Sequence, residues 1–217
     1  MVVAVLEVGK PTVVVLMAGS AIDLAEAGEK ADAVLLSWYP GAQGGKVIAD
    51  LLLGRVSPSG KLPVTFYRNE QLDELPAFTD YSMRNRTYRY FSGEALYPFG
   101  YGLTYGDVWV ERARADRTET GTDIHITVRN DGPVFTEDVV QIYCQNAGSP
   151  NAPRNPRLCA FARVAVEAGK EQTLEVRVPR ERFLVVNSEG ASADEGKIVL
   201  YAGMGQPDRR TEALTGH

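Results

Sequence analysis

Histidine and cysteine are scarce: the 217 residues hold His125, His217, Cys144 and Cys159 and no others of either type. So few ligands give no four-ligand zinc site of the usual Cys/His kind, and no metal or other cofactor is expected. A Ser-His-Asp or Cys-His nucleophile would have to use His125, because a chain-terminal histidine is a poor catalytic anchor. His125 lies in Asp123-Ile124-His125-Ile126-Thr127-Val128. There Ile124, Ile126 and Val128 take the buried face of a strand, and His125 takes the solvated one.

Excess positive charge is also missing. The net charge is −5, and no part of the chain is basic enough to follow a phosphate backbone, so nucleic acid is not an expected partner. Long apolar runs are absent too; the longest, Val13 to Ala18, falls far short of the ~20 residues of a bilayer span. The stretch from Met1 to Glu7 has no basic start and carries an acid, which makes a poor signal peptide. A cytoplasmic location is the expectation, and no membrane partner. Cys144 and Cys159 fit a cross-strand pair or two free thiols equally well. The sequon Asn85-Arg86-Thr87 reads as chance.

What is present begins with alternating strand and helix over residues 1–66. Pro11 to Ala18 is a β-branched run, continuous rather than alternating, as in a parallel strand covered on both faces. Asp23 to Ala31 has helical spacing, Ala33 to Trp38 is a second buried strand, and Val47, Ile48, Leu51 and Leu52 make one stripe of a helix over Lys46 to Leu53. So few strands and helices cannot cover both faces of a parallel sheet. The part looks incomplete: the expectation is that either more strands are lost upstream, or a further chain or a second copy, as a homodimer, supplies them.

Residues 67–105 change character. Between Tyr81 and Tyr105 lie eight tyrosines and phenylalanines, punctuated by Gly93, Pro98, Gly100 and Gly102. Such a stretch predicts an irregular, packed linker, since aromatics bury large areas without regular backbone. Over residues 106–217 the hydrophobic period becomes two. Strands are predicted at Val108 to Ala115, Asp123 to Arg129, Asp138 to Cys144, Cys159 to Val166, Gln172 to Val178 and Lys197 to Ala202, with a turn at Asn130-Asp131-Gly132. The fold class is therefore α/β plus all-β, a partial parallel α/β sandwich followed by an immunoglobulin-like β-sandwich.

Two chemistries were worth testing on these residues. Gly54 to Leu62 approaches a phosphate loop around Lys61, but the glycine spacing is one residue too long, Leu62 replaces the hydroxyl, and Pro58 removes an amide. Gly41, Gly44 and Gly45 before a helix could bare amides to an anion, and close packing explains them as well. Paired carboxylates for glycosidic cleavage are not singled out by any spacing among the 28 acids.

Taken together, certain strings carry a resemblance. Trp38-Tyr39-Pro40-Gly41-Ala42-Gln43-Gly44-Gly45 and Ser57-Pro58-Ser59-Gly60-Lys61-Leu62-Pro63-Val64-Thr65-Phe66 resemble the second domain of family 3 glycoside hydrolases. Arg86-Thr87-Tyr88-Arg89-Tyr90-Phe91 and Leu96-Tyr97-Pro98-Phe99-Gly100-Tyr101-Gly102 resemble the run into that family's third domain, and Val139-Val140-Gln141-Ile142-Tyr143 resembles its fibronectin type III-like domain. The resemblance implies a retaining exo-acting β-glucosidase or β-xylosidase. It also implies an aspartate nucleophile on a (β/α)8 barrel that these residues do not include, and a glutamate acid/base upstream of the first strand. Glu7 lies in that window without the surrounding motif. No catalytic residue is assigned, and β-linked substrate is expected only together with a barrel; a stand-alone scaffold or carbohydrate-binding module is the alternative. The structural motif positions are Pro40, Gly41, Gly44, Gly45, Pro58, Gly60, Pro63, Tyr88, Arg89, Tyr90, Pro98, Phe99, Gly100 and Gly102.

Overall fold

The computed structural model describes residues 2–207; His217 lies outside them. Helix α1 (Val2–Leu6) precedes strand β1 (Val13–Leu16), helix α2 (Glu26–Lys30), strand β2 (Ala33–Leu36) and helix α3 (Gly44–Leu52). β1 and β2 pair in parallel, Val13 opposite Ala33 through Leu16 opposite Leu36. Parallel pairing follows from the helix between them, which carries the chain back to the same end. The strand at Pro11 to Ala18 is shortened because Pro11 has no amide to give to a ladder.

Neither strand is covered on both faces as expected. Val13 and Val34 stay exposed among the described residues, and of the α3 stripe only Ile48 and Leu51 are half-buried while Val47 and Leu52 face solvent. The apolar pattern is there, but its cover is not.

Six long strands then follow: β3 (Val108–Thr118), β4 (Gly121–Asn130), β5 (Thr136–Ala147), β6 (Arg157–Val166), β7 (Glu171–Pro179) and, after a small hairpin β8 (Val185–Val186) and β9 (Ser192–Ala193), β10 (Lys197–Gly203). They form two antiparallel sheets, β3-β4-β7 and β10-β5-β6, closed over a core that includes Ile126, Val128, Val140, Ile142, Val166 and Val178. The alternation in β4 is as read, with Ile124, Ile126 and Val128 inside and His125 outside between Asp116 and Glu175. Each fully buried valine or isoleucine contributes roughly 1.5–3 kcal/mol.

Asn130, fully buried, anchors the turn after β4. Its Nδ2 donates to the carbonyls of Val134 (2.9 Å) and Val166 (3.1 Å), and its Oδ1 accepts from the amides of Asp107 (3.1 Å) and Gly132 (3.0 Å). Four partners offset the cost of taking this amide out of water, so a polar residue stands at a core position. Cys144 and Cys159 are free thiols on adjacent strands, both turned into the core. Their mutual hydrogen bond, with burial, pushes the Cys159 thiol up.

Candidate functional site

The aromatic linker lies across the outward face of β5 and joins the two halves. Tyr88 stacks on Phe99 with ring centres 4.1 Å apart, and both meet Tyr143 edge-on. Gln141 Nε2 donates to the carbonyls of Gly100 (2.9 Å) and Met204 (3.1 Å), while Tyr143 donates to Gln141 Oε1 (2.6 Å). Asn155 holds the other end of the linker, its amide donating to the Tyr88 and Phe91 carbonyls, each at 2.8 Å. Gly100 has φ +78, and a Cβ there would stand 2.2 Å from Gln141 Oε1. Only glycine combines that backbone with that approach.

The packed linker expected from composition is therefore real around Tyr88 to Tyr101, but Phe78 and Tyr81 are 89% and 86% exposed. Asn85, the sequon asparagine, uses its Oδ1 to accept from Ser92 (3.0 Å). A four-residue helix, α4 (Thr87–Tyr90), follows it and presents Tyr88 to β5.

The proline and glycine string at residues 57–63 is a clamp between the halves. Lys61 Nζ donates to the Gly102 carbonyl (2.7 Å) and pairs with Asp138 Oδ1 (2.8 Å), with side chains only 10% and 5% exposed. Thr136 donates to Ser57 Oγ (2.7 Å), which also accepts from the Tyr105 amide (2.9 Å). A Cβ on Gly102 would stand 2.1 Å from the Gly60 carbonyl oxygen, whereas one on Gly60 would meet nothing, so it is Gly102 that must pass without a side chain. Burial pushes the Asp138 carboxyl up, and Lys61 partly opposes this. The lysine of the near phosphate loop is thus committed to an internal ion pair. Sequence reasoning missed this pairing, as it did Gln141 and Asn155, because partners 41 or more residues apart leave no periodic trace.

Beside the linker opens a cleft of about 570 Å³, its lining including Thr65, Tyr88, Phe91, Glu94, Arg154 and Gln206. A shallower one of about 590 Å³ lies between α1 and the start of β1. Among the described residues Glu94 is the single carboxylate lining the first, and none lines the second. Among the described residues neither cleft holds two carboxyl groups, so neither shows the acid pair that glycosidic bond exchange needs.

The remaining feature is the open α/β face. Tyr39, 82% exposed, follows the end of β2 and lies directly against Gly19, after the end of β1. Trp38 beside it has φ +49 and packs its ring edge-on to Phe66 at 6.4 Å. Val47, Leu52, Leu53 and Met17 are exposed as well. The strand ends of parallel sheets are where ligands and partners meet such folds. Among the motif positions, Pro40, Gly41, Gly44 and Gly45 lie at this end of the sheet, Pro58, Gly60 and Pro63 in the clamp, and Tyr88 to Gly102 in the linker.

Known proteins carry the same layout. Residues 1–105 match the glycosyl hydrolase family 3 C-terminal domain, and residues 138–206 match the fibronectin type III-like domain. The chain belongs to glycoside hydrolase family 3, whose C-terminal region it carries. It is 37% identical over 95% of its length to a xylan 1,4-β-xylosidase from Xylanibacter ruminicola, covering 24% of that protein. It is 30% identical over 90% of its length to a periplasmic β-glucosidase of Salmonella typhimurium, covering 28% of it. The solved β-glucosidase DesR of Streptomyces venezuelae superimposes with a TM-score of 0.82 at 31% identity, over 94% of this chain and 28% of that one. The chain thus spans about a quarter of the relatives it matches.

Proposed function

We propose that this chain is the C-terminal part of a retaining, exo-acting β-glucosidase or β-xylosidase, and that it acts on β-linked substrate only with a (β/α)8 barrel seated on its open α/β face. The three parts of this reading are the α/β sandwich region at 1–66, the aromatic linker at 67–105 and the fibronectin type III-like domain at 106–217. One observation carries it: more than half of the exposed large apolar residues, Tyr39, Val47 and Leu52 among them, belong to residues 1–66, while among the described residues neither cleft holds an acid pair.

Without a nucleophile no glycosyl-enzyme intermediate forms, and positioning alone cannot replace it. The chain's contribution is structural. The clamp at Lys61 and Asp138 and the linker on Tyr143 fix the angle between the halves, so a barrel bound to one is presented rigidly to the other.

The test is association. The remainder of the Xylanibacter β-xylosidase, expressed without its own C-terminal region, is mixed with this chain and run on a sizing column. Co-elution as a one-to-one complex is expected. Elution of this chain as a homodimer, or as an unchanged monomer beside the barrel, would contradict the reading.

A further inference from the structure

The cleft beside the linker is not used by the reading above. Its floor is formed by Phe91, Ala95 and Pro98, all buried. Two polar side chains are sunk into that apolar floor. Thr65 is 8% exposed, and its Oγ1 has no hydrogen-bond partner in the protein. Gln206, on the opposite strand exit, is 7% exposed. A buried hydroxyl without a partner costs about 1–3 kcal/mol, a cost that a group entering the cleft and bonding to it would remove.

The rim selects which group. Arg154 and Glu94 both line the opening, one of each sign, so the rim offers donors and acceptors but no net charge to attract an ion. Asn155 is fixed there by its two bonds to the linker carbonyls, which makes the wall rigid before anything binds. A volume of about 570 Å³ lies within the range that encloses small polar ligands. An apolar floor, a sunken hydroxyl and amide, and a balanced polar rim match a molecule with one hydrocarbon face and many hydroxyls.

We propose that this cleft binds a neutral sugar of one or two pyranose rings, with Thr65 and Gln206 bonding its hydroxyls. The cleft is lined by residues of this chain, so the chain alone tests it, and failure of the barrel reading leaves it standing. Xylobiose and cellobiose are titrated into the ¹⁵N-labelled chain and amide shifts are followed. Saturable shifts confined to Thr65, Phe91 to Ala95 and Asn155 are expected. Thr65→Val, which keeps shape, and Gln206→Ala should each weaken binding about fivefold or more, whereas Phe161→Ala, exposed on β6 outside the cleft, leaves it unchanged. The Arg154→Ala variant, altered only at an exposed position, gives a second test should Thr65→Val unfold. No saturable shifts in the wild type would mean that solvent satisfies Thr65 and would overturn the proposal. So would equal affinity for glucuronate, or binding indifferent to all three cleft substitutions.

Discussion

Replacing Lys61 by methionine tests how the two halves are held. The methionine stem fills nearly the same space but removes the ammonium that pairs with Asp138 at 2.8 Å and bonds the Gly102 carbonyl at 2.7 Å. Asp138 is then a buried carboxylate with the Val139 amide (2.7 Å) and the nearby Arg163 charge as its remaining support. Stranding one partner of a buried pair costs about 3–5 kcal/mol, which in a chain of this length lowers the melting temperature by roughly 6–20 °C. Replacing both, as Lys61→Met with Asp138→Leu, should recover at least half of the loss, because no charge remains to be stranded.

The pH dependence has a definite sign. Burial, the largest influence on Asp138, raises its folded-state pKa above the unfolded value, so its stabilising contribution is full at low pH and is lost as pH rises through the folded pKa. Removing Lys61 takes away an influence that lowers that pKa, so the window widens upward. The defect of Lys61→Met should therefore be largest at pH 7 and shrink on acidification towards pH 4.5. Urea unfolding followed by circular dichroism at both pH values measures it. A variant within about 0.5 kcal/mol of wild type, or a loss that does not change with pH, would mean that Lys61 does not hold the Asp138 charge.

Three further outcomes are expected. Gly100→Ala should destabilise by at least about 2 kcal/mol, since both the φ of +78 and the 2.2 Å approach to Gln141 oppose a Cβ; thermal melting reads this. Asn155→Ala, which strands the Tyr88 and Phe91 carbonyls, should cost about 2–3 kcal/mol and free the linker, seen as faster amide exchange over residues 87–91. Tyr39→Ser should leave the isolated chain within about 0.5 kcal/mol of wild type, as an exposed substitution does, yet weaken barrel binding measured by calorimetry.

The fold was largely legible because its strands obey simple periods. The β4 strand alternates around His125, and β1 and β2 are unbroken β-branched runs, so all eight of the longer strands were placed, with ends displaced by a few residues at most. The hairpin of β8 and β9, two residues each, is too short to have a period, and α1 is built of valines that favour strands. The contacts that join the halves were illegible for a different reason. Lys61, Gln141 and Asn155 are polar residues that patterning assigns to solvent, and only the folded chain brings them to partners. The cleft was equally hidden, since Thr65 and Gln206 are distant in sequence and ordinary in type.

We propose that this chain supports a glycosidase whose cleaving groups lie on the barrel. Release of nitrophenol from aryl β-xyloside and β-glucoside tests it most directly, with the purified chain assayed alone and then with the barrel added. No turnover by the chain alone and turnover on mixing are expected; cleavage by the chain alone would overturn the proposed role.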